Sequence, residues 1–351
     1  MARISERSYP RTVLVTGATG FTGGKLAREL AARGLCVRAL VRPGGLAEGL
    51  HHKNIELVWG QLTSAVDVAR AAEGVETIYH IAAAYRTAKQ PDSYYFDVNV
   101  GGTEHVLAAA RRHGVARVVH CSTVGVHGHV RQMVADETAP FNPGDVYQES
   151  KLAGEKQVWR GIASGVPATI VRPTAIYGPG DTRLLKLFRL IRDGMFWIFG
   201  RGEVHYHLVF IDDLVNGLLL AGESPAALGE AFIIAGPQST SLNELAQLVA
   251  NAVGVEAPRG RLPLWPMMIA AGACEKVCRT LRIEPPLHRR RADFFVKHRS
   301  FSIEKAQRVL GYQPVVGLEE GLWLTAQWYA SKGLIQPISA ARLTAPTGQT
   351  R

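Results

Sequence analysis

Residues 16–23 read Thr16-Gly17-Ala18-Thr19-Gly20-Phe21-Thr22-Gly23 and follow the apolar run Thr12-Val13-Leu14-Val15 directly. A glycine pattern alone is weak evidence. Here it ends a short buried strand, opens a helical pattern and lies near the start of the chain, and that context gives it meaning. Gly17 permits a tight turn, Gly20 lets backbone approach a pyrophosphate, and Gly23 allows the helix to pack close to the strand. The first N–H groups of the helix are then free to meet phosphate oxygens. A carboxylate at the end of the second strand would accept from a ribose 2′-hydroxyl. The chain has Ala39-Leu40-Val41-Arg42 there, so Arg42 favours a 2′-phosphate, and NADP over NAD.

After the turn, strands and helices alternate. Strands are expected at 36–41, 55–59, 77–81, 117–121 and 168–172. Helices are expected at 23–33, 64–73, 97–113 and 145–164. This alternation implies right-handed crossovers and a doubly wound parallel α/β sheet, a Rossmann sheet. Beyond Pro173 the pattern loosens. Turn residues occupy 177–180, a helix is expected at 183–193 and a loop at 194–205. Strand 208–211, helix 213–221 and strand 231–234 then return to the sheet. We expect a cofactor-binding domain over 11–175, completed by about 206–235. A smaller, mostly helical C-terminal substrate lobe is expected over 176–205 and 236–335, with flexible termini at 1–10 and 336–351.

Tyr147-Gln-Glu-Ser-Lys151 puts a phenol and an ammonium four residues apart, on one helix face. A phenol is a poor base near neutrality, and an adjacent ammonium favours the phenolate. Upstream, His120-Cys121-Ser122-Thr123 ends the fifth strand, where open parallel sheets place their ligands. A hydroxyl there can orient a substrate oxygen while Tyr147 exchanges its proton.

With these features in order, the chain resembles the extended short-chain dehydrogenase/reductases, the NAD-dependent epimerase/dehydratase superfamily. The likeness spans roughly 11–335 and rests on TGATGFTG, His80-Ile-Ala-Ala, Asn99-Val-Gly-Gly-Thr103, the Ser/Thr run 122–128, YxxSK, Arg172-Pro173-Thr and Ile211-Asp-Asp213. The resemblance implies Tyr147 as catalytic acid/base, Lys151 as ribose ligand and tuning cation, and Thr123 with Ser122 as the hydroxyl partner. It places Gly17, Thr19, Gly20, Phe21, Thr22, Gly23, Arg42, Gln61, Leu62, Ala82, Ala83 and Pro173 around the cofactor, with Asn99 structural. Two departures stand out. Gln61-Leu62 replaces the usual Asp-Leu, and His127, read as a polar loop residue, replaces a tyrosine.

The substrate divides the family. Nucleotide-sugar enzymes carry an arginine shortly before a strand ending Val-Asp-Asp. Tyr206 stands at that place, although Arg289–Arg291 offers another phosphate clamp. The apolar stretch 262–274 favours the 3β-hydroxysteroid dehydrogenase/dihydroflavonol reductase-like branch. That branch implies hydride transfer at a secondary alcohol or ketone of a sterol- or flavonoid-like substrate. A nucleotide-sugar epimerase or dehydratase is the alternative, and a non-catalytic cofactor-sensing scaffold the minor one.

The 351 residues carry a net charge of +10, with no recognisable nucleic-acid module. Lys276, Arg279 and Arg282 after the apolar stretch allow a weak membrane-surface contact, core packing being the plainer reading. Cys36 and Cys121 read as buried thiols. Cys274 and Cys278 show no metal spacing, so no metal is expected. The N-terminus has no apolar signal region, and no run of about 18 apolar residues spans a membrane. A cytoplasmic enzyme is expected, and by resemblance a homodimer on the helices at 97–113 and 145–164.

Overall fold

The computed structural model describes residues 11–85, 90–130, 134–266, 268–269, 272–274 and 295–336. Arg289–Arg291, Lys276, Arg279, Arg282, Cys278 and most of both termini lie outside them.

β1 (Thr12–Thr16), β2 (Cys36–Val41) and β3 (Ile55–Trp59) form one wing of a parallel sheet. α1 (Phe21–Ala32) and α2 (Ala65–Ala72) provide the connections on that wing. β4 (Thr77–His80) pairs with the other side of β1, so the strand order reverses there. A helix then runs through α3 (Asp92–Phe96), a π-helical segment Asp97–Gly101 and α4 (Gly102–Arg112). β5 (Arg117–Cys121), α5 (Val146–Ala163) and β6 (Ala168–Pro173) follow. The expected elements are thus all present, with the helix expected at 97–113 starting earlier, at Asp92, than its periodicity suggested.

β7 (Ala175–Tyr177), α6 (Leu185–Arg192), β8 (Ile198–Phe199), β9 (His205–Tyr206) and β10 (Leu208–Phe210) leave the main sheet. β10 pairs only with β7, so the strand expected at 208–211 is not part of the main sheet. α7 (Ile211–Glu223) and β11 (Ala231–Ile234) return and complete seven strands in the order β11-β6-β5-β4-β1-β2-β3. The remainder comprises β12 (Thr240–Ser241), α8 (Leu242–Val253), β13 (Arg261–Leu262), α9 (Glu304–Leu310) and α10 (Leu318–Ser331).

The strands are apolar at successive positions because both sheet faces are covered. Val13, Val15, Val37, Ala39, Val119 and Val171 pack beneath α1 and α7. Leu14, Leu40, Ile78, Val118 and Ile170 pack beneath α2, α4 and α5. Asp213 accepts from the backbone N–H groups of Val315 (2.9 Å) and Val316 (3.2 Å), which fastens the C-terminal segment to α7. Among the described residues no helix is long and apolar enough to cross a membrane.

The β4–β5 register sets His80 beside His120, with ring centroids 5.2 Å apart. The tautomer of His80 follows from its neighbours. Ala82 N–H donates to Thr16 Oγ1, and the Thr103 hydroxyl donates to the Asn99 carbonyl. Thr16 therefore donates to Nδ1 (2.8 Å), and Nε2–H donates to Thr103 (3.1 Å). Burial holds His80 down to about 3 and His120 well below the ordinary histidine range, and the Lys151 charge adds to both shifts. Neither ring nitrogen of His120 has a partner.

Both rings stay neutral in the fold, whereas in the unfolded chain they take up protons below about pH 6.5. Their contribution is intact above that pH and falls by about 1.4 kcal/mol per unit for each histidine as the pH drops. Urea unfolding at pH 7.5 and 5.5 should show this loss. His120→Leu should flatten the slope by one histidine's share, with stability at pH 7.5 unchanged or raised, because it removes two unsatisfied nitrogens.

Candidate active site

The reversal of strand order between β1 and β4 opens a crevice at the C-terminal ends of the strands. A cavity of about 940 Å³ fills it. Every residue expected to bind cofactor or do chemistry lines this cavity, from Gly17 and Arg42 at one end to Thr123, Tyr147 and Pro173.

The cofactor end fits a dinucleotide. Gly17 adopts φ +71°, and a Cβ there would lie 2.7 Å from the Ala82 backbone. A Cβ on Gly23 would lie 2.2 Å from the Gly17 carbonyl, so α1 can start this close to β1 only with glycine. Gly20 caps α1 without any side-chain acceptor, which leaves the first N–H groups of the helix for phosphate. Arg42 is exposed at the far end. Gln61 lines the cavity while its N–H donates to Asp67 (3.0 Å). Leu62 packs against Gly102.

Asp145 caps α5 by accepting from Gln148 N–H, and Tyr147 enters the cavity from the first turn. The rest of this turn is held from behind. Asn99 bonds Ala84 through both its amide atoms and donates to the Ser150 hydroxyl (2.9 Å), which donates to the Tyr147 carbonyl (2.9 Å). The structural part read for Asn99 is thus anchoring β4's exit to α5. Tyr85 meets the Tyr147 ring edge-on at 4.8 Å.

The electrostatics differ from the expectation in one respect. Lys151 is buried and donates to the Cys121 carbonyl (2.7 Å). Burial pushes its ammonium below the ordinary lysine range, against the opposing pull of Cys121 and Glu155. Burial also pushes the Tyr147 phenol above its ordinary range; Cys121 and Tyr85 add to this, and Arg183 opposes it. In the protein alone the phenol is thus governed by desolvation, and the lowering expected from Lys151 is not among its causes, Arg183 supplying the opposing charge.

Ser122 and Thr123 part company. Ser122 donates to Glu155 Oε2 (2.6 Å) and so is committed to a buried network. Glu155 also takes Arg172 Nη2 (2.5 Å) and Trp159 Nε1 (3.2 Å). Arg172 continues to the Glu137 carbonyl (3.0 Å) and to His127 Nε2 (3.2 Å). Ser122 still lines the cavity, but its own proton is committed to Glu155 and not to a ligand. The hydroxyl of Thr123 accepts from Gly125 N–H (3.0 Å) and keeps its own proton to donate. His127 is buried and stacked on Phe141, not a loop-surface residue; burial and the Arg172 charge keep it neutral. Cys121 is buried as expected, its thiol pushed up to about 11 by burial, whereas Cys36 is half-exposed.

Sequence reasoning missed Tyr85, Arg183 and Arg299, which also line the cavity. Arg183 follows the turn at 177–180, a weak signal. Arg299 lies two residues before Phe301, in a stretch with no local pattern to mark it.

A glycine-floored dinucleotide crevice with a tyrosine and a threonine over it defines a nucleotide-dependent oxidoreductase. The chain belongs to the NAD-dependent epimerase/dehydratase family, which it matches over residues 13–235. It is 35% identical to sterol demethylase protein B of Methylococcus capsulatus over 261 residues, 72% of this chain and 77% of that one. It is 31% identical to the 3 beta-hydroxysteroid dehydrogenase/Delta 5→4-isomerase of Mycobacterium tuberculosis over 336 residues, 91% of this chain and 90% of that one. Among solved structures it resembles DesIV, the dTDP-glucose 4,6-dehydratase of Streptomyces venezuelae. The TM-score is 0.73 at 26% identity, covering 93% of this chain and all of that one. The chain is thus an extended short-chain dehydrogenase/reductase enzyme, with a nicotinamide adenine dinucleotide as cofactor.

The buried network supplies a stability test. Glu155→Ala leaves Arg172 charged and unpaired in the interior and should cost about 3–5 kcal/mol in urea unfolding. Ser122→Ala, which removes one donor to a partner still held by others, should cost only about 1 kcal/mol.

Proposed function

We propose that this enzyme transfers a hydride between a nicotinamide and the secondary alcohol or ketone carbon of an apolar, sterol-like substrate. The observation that carries the reading is the convergence of Tyr147 and Thr123 on one cavity whose nearby walls are Tyr85, Val98, Val124, Ile176 and Phe301. The sterol and steroid enzymes among its relatives support the same substrate class.

Thr123 donates to the substrate oxygen and orients it. Tyr147 exchanges the hydroxyl proton. When bound, the cofactor would accept the hydride in its oxidised form, whose positive ring favours the phenolate, or supply it in its neutral reduced form. Lys151 would hold the ribose and sets the charge near Tyr147. Ser122 holds Glu155 and is a positioning residue. Gly17, Gly20 and Gly23 with the α1 N-terminus take the pyrophosphate, and Arg42 takes a 2′-phosphate, so NADP is preferred.

The cofactor unit is assigned to 11–175 with 206–235, and the substrate lobe to 176–205 with 236–335. A homodimer rests on the family likeness, and the thiols of Cys36 and Cys121 suit a reducing cytoplasm. Exposed Trp197, Leu262, Trp265 and Ile269 and the net charge of +10 support a weak membrane-surface contact.

The test is absorbance at 340 nm with a 3β-hydroxysteroid and either NADP or NAD. Turnover of the steroid, with titration of the cofactor-loaded protein by UDP giving no heat, is the expected outcome. Micromolar UDP binding without steroid turnover would transfer the site to nucleotide-sugar chemistry. Tyr147→Phe should lower kcat about 10²–10⁴-fold, the usual share of a general acid/base. Thr123→Ala should lower kcat by at least about tenfold, while Ser122→Ala should change it far less. Arg42→Ala should remove the preference for NADP, read as the ratio of the two cofactors' KM values.

A further inference from the structure

The cations around the cavity are not equivalent. Lys151 is turned onto the Cys121 carbonyl. Arg183 donates to the buried carboxylate of Asp181 and to the Ile176 carbonyl (2.9 Å). Arg42 lies at the cofactor end. Arg299 is different. Its backbone N–H donates to His205 (2.9 Å), which pins the residue beside β9. Its guanidinium lies 5.8 Å from the centroid of the Tyr206 ring, and among the described residues no carboxylate pairs with it. Phe301, two residues on, packs in a small apolar cluster with Val124, the neighbour of Thr123. Arg299 therefore stands on the substrate side of the cavity, half-buried, with no counter-ion among the described residues.

An uncompensated guanidinium on an aromatic platform inside a largely apolar pocket favours an anion. We infer that Arg299 is a specificity residue that binds a carboxylate carried by the substrate, so that the preferred substrates are hydroxy or keto acids on an apolar skeleton. Among the described residues that line the cavity on this side, Arg299 is the cation left for a ligand, and one such cation matches one carboxylate. A nucleoside diphosphate brings two charges, and among the described residues the other guanidinium on this side, Arg183, is already paired with Asp181. The large aromatic Tyr206 occupies the place where nucleotide-sugar enzymes carry an arginine and supports Arg299 there instead.

The inference rests on the proposed oxidoreductase reading, and the experiment separates the two. A 3β-hydroxysteroid-4α-carboxylate and its methyl ester share skeleton and carbinol but differ in charge. Each is titrated calorimetrically into cofactor-loaded wild type, Arg299→Gln and Arg299→Lys, with UDP as a third probe, and turnover is followed separately. Wild type should bind the acid about 10–100-fold tighter than the ester, the range for a charge-assisted hydrogen bond. Arg299→Gln should abolish that preference, through KM and not kcat, and Arg299→Lys should restore part of it. Equal binding of acid and ester by wild type, equal weakening of both in Arg299→Gln, or binding of neither overturns the inference. Arg299-dependent binding of UDP instead of the acid reassigns the residue to a diphosphate. Arg299-dependent binding of the acid with no turnover of either steroid supports the inference and sinks the oxidoreductase reading.

Discussion

The ion pair between Arg172 and Glu155 holds the upper surface of the sheet together. Arg172 ends β6 and Glu155 lies on α5, and both are almost wholly removed from solvent. Such a pair is tolerable inside a protein only if every remaining donor and acceptor is used. Here the surplus bonds reach Ser122 after β5, Trp159 on α5, His127 in the short turn beyond Thr123, and the backbone of Glu137. Glu137 in turn accepts from Ile233 N–H on β11 (2.7 Å). One charged knot thereby ties three neighbouring strands to the helix that carries Tyr147 and to the loop that carries Thr123. The reacting groups sit on rigid parts because the price of burying these charges has been met by hydrogen bonds to those parts.

The same burial shapes the proton chemistry. Burial disfavours the charged forms of both the lysine directed at a main-chain carbonyl and the tyrosine in the protein alone. The site waits for charge to be brought to it. A positive nicotinamide would shift the phenol in the direction that proton transfer needs, so the basicity of Tyr147 depends on the cofactor and not only on its own helix.

The features legible in the sequence share a physical reason. TGATGFTG, the alternating strands and helices and the Tyr147/Lys151 spacing are local patterns, in which backbone sterics or helical period fixes the residues. What escaped notice depends on contacts between distant segments. Glu155 looks like an ordinary surface residue in a polar helix, and only the β6–α5 packing buries it against Arg172. Ser122 and Thr123 are adjacent, and the extended backbone at that point turns one hydroxyl down and leaves the other up. Strands of two residues such as β8, β9, β12 and β13 carry no period to read. Arg299 reaches the cavity from a segment far along the chain, through a bridge to β9 that no local pattern announces.

The position of β11 has a consequence for synthesis on the ribosome. The chain finishes β6 and then builds β7 to β10 and α7 before the seventh strand emerges. Through that interval the edge of β6, with Ile170 and Val171, has open backbone groups and no neighbour. A nascent chain in this state is exposed to edge-to-edge association with another copy. Arrival of β11 closes the edge and at the same moment supplies Ile233 N–H to Glu137. Pairing with β6 and the bond to Glu137 come from the same short strand, so the sheet edge and the loop that carries Glu137 are secured together.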